Sequence, residues 1–287
     1  MHQTSPGAVE EDSLHVRVLY AAEMLIDEEW DEQGVCSTYW RYYVNYRTGP
    51  AVRLHDGTRY ELPPGFVHLI PPWVRIDLLG GHGAQHLWAH FDIVGLPGGI
   101  VREVFATPAS LPLSGALKAT AEAMRQALDQ PQARVRPDAI FSIKAAIQCA
   151  LAVLFAGQSE LNQARISAVT RFDAAIGPAL RQIATDLHRS ISVPELARAC
   201  GYAPDHFSRL FRAEVGQTPA QYILECRVAL AAQQLVLSDC SIDAIAEACG
   251  FPDRFYFSRV FTKRMGVPPA RYRRAQPSPL TRSARRP

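Results

Sequence analysis

The chain lacks the marks of several function classes. Its six cysteines, at positions 36, 149, 200, 226, 240 and 249, contain no Cys-x-x-Cys pair, and they read as reduced packing residues of a cytoplasmic protein. There is no Gly-x-Ser-x-Gly elbow, no phosphate-cradling loop and no histidine and glutamate arrangement of a metal-binding barrel, so neither an enzyme nor a bound cofactor is expected. The first twelve residues are polar and acidic, without the apolar core of a secretory signal. The longest apolar stretch, Ala145 to Ala156, is interrupted by Gln148 and falls short of the roughly 20 residues that a bilayer requires, so no membrane partner is expected.

What is present is an asymmetry of charge and a repeat. The 287 residues have room for two domains. From Thr170 onward 17 Lys and Arg stand against 10 Asp and Glu, a net of +7, whereas the preceding part has 13 against 18, a net of −5. A basic half joined to an acidic half points to contact with phosphate through the C-terminal half alone. That half carries one pattern twice. Gly201 recurs as Gly250, 49 residues on, and Phe207, Ser208 and Arg209 recur as Phe257, Ser258 and Arg259, 50 residues on. Gly216, Pro219 and Tyr222 recur as Gly266, Pro269 and Tyr272. Two copies are too few for a solenoid and read as paired subdomains.

Each copy has the form of a helix-turn-helix. Val193, Leu196, Ala197 and Cys200 lie at the spacing of one helical face, with Ser192 as N-cap and Pro194 in the first turn. Gly201 supplies the left-handed turn that ends the helix. The second helix of the copy is expected to bury Phe207, Leu210 and Phe211, which turns Asp205, Ser208, Arg209 and Arg212 outward. In the second copy Phe257, Val260 and Phe261 are the buried set, leaving Arg254, Phe255, Ser258, Arg259 and Thr262 outside, with Lys263 a further DNA-facing candidate. Such outward faces suit a major groove. An arginine bridges guanine O6 and N7 with two parallel hydrogen bonds, and serine contacts a base edge or phosphate. Phe255 either packs on a thymine methyl or fills the space between the helix pairs; Asp205 either accepts from cytosine or serves the helix N-terminus. Between the copies, Pro219 to Val236 reads as one helix, a spacer of about 27 Å that holds two reading helices near one DNA turn apart.

These residues, above all Ser241 to Phe251, Tyr256 to Phe261 and Gly266 to Tyr272, make the segment resemble the DNA-binding domain of the AraC/XylS family of bacterial transcription regulators. The chain departs from that pattern at Ala203 and Pro252, where the family usually has a capping residue. Each loss is worth up to roughly 1 kcal/mol unless Asp205 or Asp253 substitutes.

The N-terminal half reads as short strands. Tyr39 to Tyr46 is rich in aromatics, and Ala51 to Leu54 and Thr58 to Leu62 flank an Asp56-Gly57 hairpin turn. Val67 to Ile70, Val74 to Leu78 and Ala84 to Ile93 follow, separated by proline and glycine turns. A small barrel or sandwich is expected. The order of the hairpin, Leu62-Pro-Pro-Gly65, Leu69-Ile-Pro-Pro72 and Leu87-Trp-Ala-His-Phe91 is similar to the cupin-like sensor domain of AraC-type regulators. That resemblance implies ligand contacts from His86 and Trp88, with Tyr42, Tyr43 and Trp73 as further aromatic candidates, for a sugar or related small polar effector. No arginine aligns with the pocket arginine of the sugar-sensing relatives. His86 and His90, four apart in a strand, are about 13 Å apart and do not readily share an ion.

Leu113 to Gln130 and Pro137 to Phe155 read as helices, the second serving to pack on its own barrel, to meet a second copy, or both. The expected fold class is α+β: a tail over 1–12, a cupin-like sensor and dimerisation domain over 13–156, a linker over 157–170, an all-α domain with two helix-turn-helix motifs over 171–275 opening with a helix from Arg171 to Leu187, and a basic tail over 276–287, both tails disordered. The resemblance implies double-stranded DNA, an effector, a second copy and RNA polymerase as partners. Two alternatives stand beside it: a barrel that only dimerises or contacts partners, and a cupin enzyme fused to a DNA-binding module.

Overall fold

A computed structural model describes residues 14–130, 136–170 and 175–275; both expected tails, and the start of the helix expected from Arg171, lie outside these. Nine strands build the N-terminal half: β1 His15–Leu25, β2 Val35–Cys36, β3 Trp40–Asn45, β4 Ala51–Leu54, β5 Arg59–Glu61, β6 Phe66–Ile70, β7 Arg75–Leu79, β8 Gln85–Val94 and β9 Ala109–Pro112. They form two antiparallel sheets, ordered β1-β8-β3-β6-β9 and β2-β7-β4-β5. The Asp56-Gly57 turn forms as expected: Gly57 has φ +89°, the Asp56 carboxylate accepts from the Thr58 amide at 2.9 Å, and β4 meets β5 in register Val52 to Tyr60. One cluster of buried side chains lies between the sheets, from Ile26, Trp30 and Tyr43 to Val52, Ile70, Ile76 and Leu78.

The outer face of the larger sheet is covered by helices. After α1, Gly98–Val104, which the sequence reading missed, α2 Gly115–Leu128 packs beside α3 Pro137–Ala156. By length and composition α3 is apolar enough to cross a membrane, more so than the shorter stretch read from sequence. It packs on α2 and β1, with Ile143, Ile147, Leu151 and Leu154 buried, while Ile140, Phe141 and Val153 stay exposed. The expected linker is instead helical. Helix α4, Glu160–Thr170, buries only Ile166 and Val169, too little apolar periodicity to read from sequence, and it lies against α1 and the C-terminal half.

That half comprises α5 Gly177–Asp186, α6 Val193–Ala199, α7 Pro204–Val215, α8 Pro219–Leu237, α9 Ile242–Ala248, α10 Arg254–Met265 and α11 Pro269–Ala275. Local chemistry sets the bounds. Ser192 with Glu195, and Thr218 with Gln221, form reciprocal capping boxes on α6 and α8. Glycines 216 and 266 end α7 and α10 in the left-handed conformation, both at φ +78°. The spacer between the copies is a single 19-residue helix, α8.

The halves share a core. One apolar cluster runs from β3 and β8 through α1 and α3 into Leu196, Phe207, Phe211 and Val215 of the first helix pair. A second contains Phe257, Phe261, Met265 and Tyr272 together with Cys36 of β2, and Trp73 packs against it. Polar contacts tie the same seam. Arg75 donates to the Met265 carbonyl at 3.2 Å. Glu225 of α8, 3% exposed at its side chain, accepts from Arg102 of α1 at 2.6 Å and lies 3.9 Å from Arg264 of α10.

Glycines 216 and 266 offer a matched test of this seam. A Cβ on Gly216 meets nothing within 4 Å, whereas one on Gly266 falls 1.8 Å from Arg75 Nη2. Gly216→Ala should therefore cost only the left-handed strain, about 1–2 kcal/mol. Gly266→Ala should cost about 1 kcal/mol more, because Arg75 must leave the Met265 carbonyl. Chemical denaturation should show that excess vanishing in an Arg75→Ala background; an unchanged excess there would place its origin elsewhere.

Candidate functional site

The outward face of the paired helices comes first. In α7 and α10 the phenylalanines lie four apart and are fully buried: Phe207 and Phe211, Phe257 and Phe261. The third buried position in each is Val215 and Met265, one turn further on; Leu210 and Val260, expected inside, are only half-buried. With that stripe fixed, Asp205, Arg209 and Arg212 are exposed on α7, and Arg254, Phe255, Arg259 and Lys263 on α10. Phe255 is 83% exposed, which excludes the reading that it fills the space between helix pairs.

The two faces differ in how they are held. Asp253 caps α10, its carboxylate accepting from the Tyr256 amide at 2.7 Å. Helix α7 begins at Ala203 without a side-chain cap, and Asp205 sits in the first turn, where a carboxylate meets the positive end of the helix. Arg254 is 3.3 Å from Asp243 of α9, and the Arg259 guanidinium lies 5.5 Å from the Tyr256 ring centroid. Both contacts are exposed and fix direction more than stability. Ser208 is half-buried and its hydroxyl donates to the Pro204 carbonyl at 2.8 Å, while Ser258 is half-buried on the matching face.

The second group of candidates divides by strand alternation. On β3, Trp40, Tyr42 and Val44 face the helices and join their core. Tyr43 joins the cluster between the sheets, and its alternate neighbours Arg41 and Asn45 share its side of the strand. Tyr42 is therefore corrected as a barrel-lining candidate: neighbours in a strand face opposite ways. On β8, His86, Trp88 and His90 share the inner side. The His86 ring lies 4.6 Å from both the Trp30 and Tyr43 rings, and Trp88 lies 4.6 Å from His90. Trp73 is not in the barrel. It sits at the seam between the halves, in the left-handed region at φ +67° and 5.6 Å from the Arg102 guanidinium. A bulky residue held there is backbone strain sustained by its surroundings.

The inner polar groups are incompletely matched. Asn45 donates to the Leu62 carbonyl at 2.9 Å, which turns its amide oxygen toward His86 Nδ1, 2.6 Å away. The imidazole thus carries its proton on Nδ1 and presents a bare lone pair at Nε2. That atom and the indole nitrogens of Trp30 and Trp88 are buried without partners. Burial pushes the His86 pKa down from its ordinary 6.5 to about 3, so the ring is neutral. Separately, a cavity of about 400 Å³ lies between the halves, walled by Arg17 and Asp92 of the larger sheet, Trp73, and Tyr222, Glu225 and Cys226 of α8. Among the described residues no three His, Cys, Asp or Glu side chains are grouped to hold a metal. Sequence reasoning missed Arg41 and the seam residues Arg75, Arg102 and Glu225. Period-2 alternation alone could have found Arg41, because positions 41, 43 and 45 lie across from 90, 88 and 86.

A helix-turn-helix domain model matches residues 196–275. The chain is 38% identical over 87 residues to the MmsAB operon regulatory protein of Pseudomonas aeruginosa, covering 30% of this chain and 28% of that protein. It is 31% identical over 102 residues to a putative AraC-like transcription regulator of Streptomyces lividans, covering 36% of this chain and 34% of that one. The chain spans about a third of the length of the curated relatives it matches. Over both halves, the fold is similar to that of ToxT from Vibrio cholerae, with a TM-score of 0.54 and 12% identity over 92% of this chain and 98% of ToxT. ToxT has also been solved with an unsaturated fatty acid bound.

The neutral His86 predicts a pH dependence. Its folded pKa lies below the unfolded value near 6.5, so the unfolded chain takes up the extra proton. The stability it leaves intact at pH 7 is lost as pH falls below about 6.5 and continues to fall toward 3. By pH 5 the loss should reach about 2 kcal/mol. His86→Gln should flatten that limb of a stability-against-pH curve; an equally steep decline in the variant would show that another group titrates.

Proposed function

This chain belongs to the AraC/XylS family, and from that premise we propose that it is a ligand-responsive, sequence-specific transcription regulator acting in the cytoplasm. The observation that carries the DNA-binding part is the pairing of exposed Arg209 and Arg259 at equivalent positions of two helices, each oriented by a buried phenylalanine pair. Arg209 and Arg259 read guanines in successive major grooves. Arg212, Arg254 and Lys263 neutralise phosphates beside them, Ser208 and Ser258 contact the backbone, Phe255 packs on a thymine methyl, and Asp205 supports the start of α7.

The sensing part rests on the inner side of the barrel. His86 offers an acceptor, and Trp88 and Trp30 offer donors, each buried and unmatched. A sugar or related small polar metabolite supplies hydroxyls for both roles and a face that stacks on Trp88, with Tyr43 closing the side. ToxT, with a small molecule bound in a similar two-domain fold, is a precedent. The exposed Phe141, Ile140 and Val153 of α3 supply an apolar face for a second copy. RNA polymerase is the expected further partner of a regulator that activates.

Two measurements test the DNA reading. Arg209→Ala and Arg259→Ala should each cost about 1–3 kcal/mol at one base pair and relax the preference there. Lys263→Ala should weaken binding to all sequences alike and lower the salt dependence by about one phosphate contact. Selection from a randomised operator library separates these outcomes; an unaltered preference in both arginine variants would contradict the assignment.

A further inference from the structure

Among the described residues the two helix pairs belong to different apolar clusters. Tyr222 and Ile223 of α8 are buried with the first pair, and Val228, Ala231 and Leu235 of the same helix with the second. The spacer thus passes from one core to the other near its middle, and Arg227 stands at the crossing. Its Nε donates to the Leu187 carbonyl at 3.0 Å and its Nη2 to the Arg189 carbonyl at 2.7 Å. Leu187 is the C-cap of α5, at the helix end whose carbonyls have no partner within the helix. Helix α5 belongs to the first unit, with Ala179 and Ile183 buried in its cluster. A cation at that end also meets the negative pole of the helix. A planar guanidinium reaches both carbonyls at once, which the single point charge of a lysine does not.

The second unit closes on the same place. Gly250, in the turn after α9, has φ +76°, and a Cβ on it would fall 2.3 Å from the Leu187 carbonyl oxygen and 2.9 Å from Arg227 Nη2. Gly201, its equivalent in the first unit, has φ +73°, and a Cβ there meets nothing within 4 Å. One glycine of the repeat therefore serves its turn alone, while the other also lets backbone approach backbone. The end of α5, the middle of α8 and the turn of the second unit meet at one carbonyl.

The phenylalanine pairs fix each reading helix within its own unit, but not the distance or rotation between the units. On DNA that relation is exacting, since one base pair of spacing amounts to about 3.4 Å and about 35° of rotation. We propose that Arg227 and Gly250 form a clamp that sets the distance and phase between α7 and α10, and with them the half-site spacing that one chain accepts. Arg227 is a positioning residue, acting on DNA only through Arg209 and Arg259. This rests on reading both helices as DNA-binding.

The full chain first selects its preferred duplex from a randomised library. That duplex is then remade with the segment between the half-sites shortened or lengthened by one or two base pairs, and fluorescence anisotropy gives Kd for each. The wild type should lose at least tenfold at two base pairs from its optimum, because the duplex must twist or bend to restore the phase. Arg227→Met and Gly250→Ala should each lose less than threefold there relative to their own optimum, with the bases preferred inside each half-site unchanged. Gly201→Ala carries similar left-handed strain without the close approach and should keep the wild-type spacing profile. Circular dichroism checks folding, and Arg227→Lys, which keeps the charge but not the fork, replaces either clamp variant that does not fold. A wild-type profile retained by the folded variants would overturn the clamp and leave the two-helix reading standing. A wild type indifferent to spacing would overturn both. A profile flattened equally by Gly201→Ala would trace the effect to turn strain and overturn the part given to Gly250.

Discussion

The orientation of two short helices depends on pairs of phenylalanines spaced by one helical turn. Phe207 with Phe211, and Phe257 with Phe261, have no exposed surface. Burying each ring is worth about 1.5–3 kcal/mol, far more than any surface contact of the arginines between them. The helix therefore cannot roll, and Arg209 and Arg259, two residues after the first ring of each pair, must face away. Capping and glycine C-termini refine where the helices begin and end, but the apolar stripe decides what they display.

The same packing makes the two halves of the chain dependent on each other. The first helix pair shares a core with the larger sheet through α1 and α4, and the second rests on Cys36 and Trp73. Glu225 sits at the junction, receiving Arg102 from the N-terminal half and lying near Arg264 of α10. A buried carboxylate between two guanidinium groups contributes less to net stability than to specificity, since its desolvation offsets much of the attraction. What it does fix is the relative position of α1, α8 and α10. One carboxylate of α8 thus links α1 to α10.

Much of this was legible in the sequence because periodicity carries it. The duplicated helices, the spacer α8, the Ser192 cap and the Asp56-Gly57 hairpin follow from spacing that one segment contains by itself. Asp253 was foreseen as a replacement cap, and it fills that role. What could not be read is what two distant segments make together. Arg75, Arg102 and Glu225 look like surface charge until the fold sets them side by side, and Tyr272 looks like a plain repeat of Tyr222. Helix α4 read as linker because two buried side chains are too few to reveal a period. Tyr42 is a different case: alternation along β3 already opposed it to Tyr43, and the same alternation would have drawn attention to Arg41.

Guanine N7 methylation interference on a bound operator probes the central claim most directly, because N7 is the major-groove atom that an arginine bridging guanine O6 and N7 would have to reach. Reading by both helices, as proposed, predicts two clusters of interfering guanines about 10–10.5 base pairs apart, on one side of the duplex. A single cluster, or two clusters half a turn out of phase, would contradict the account.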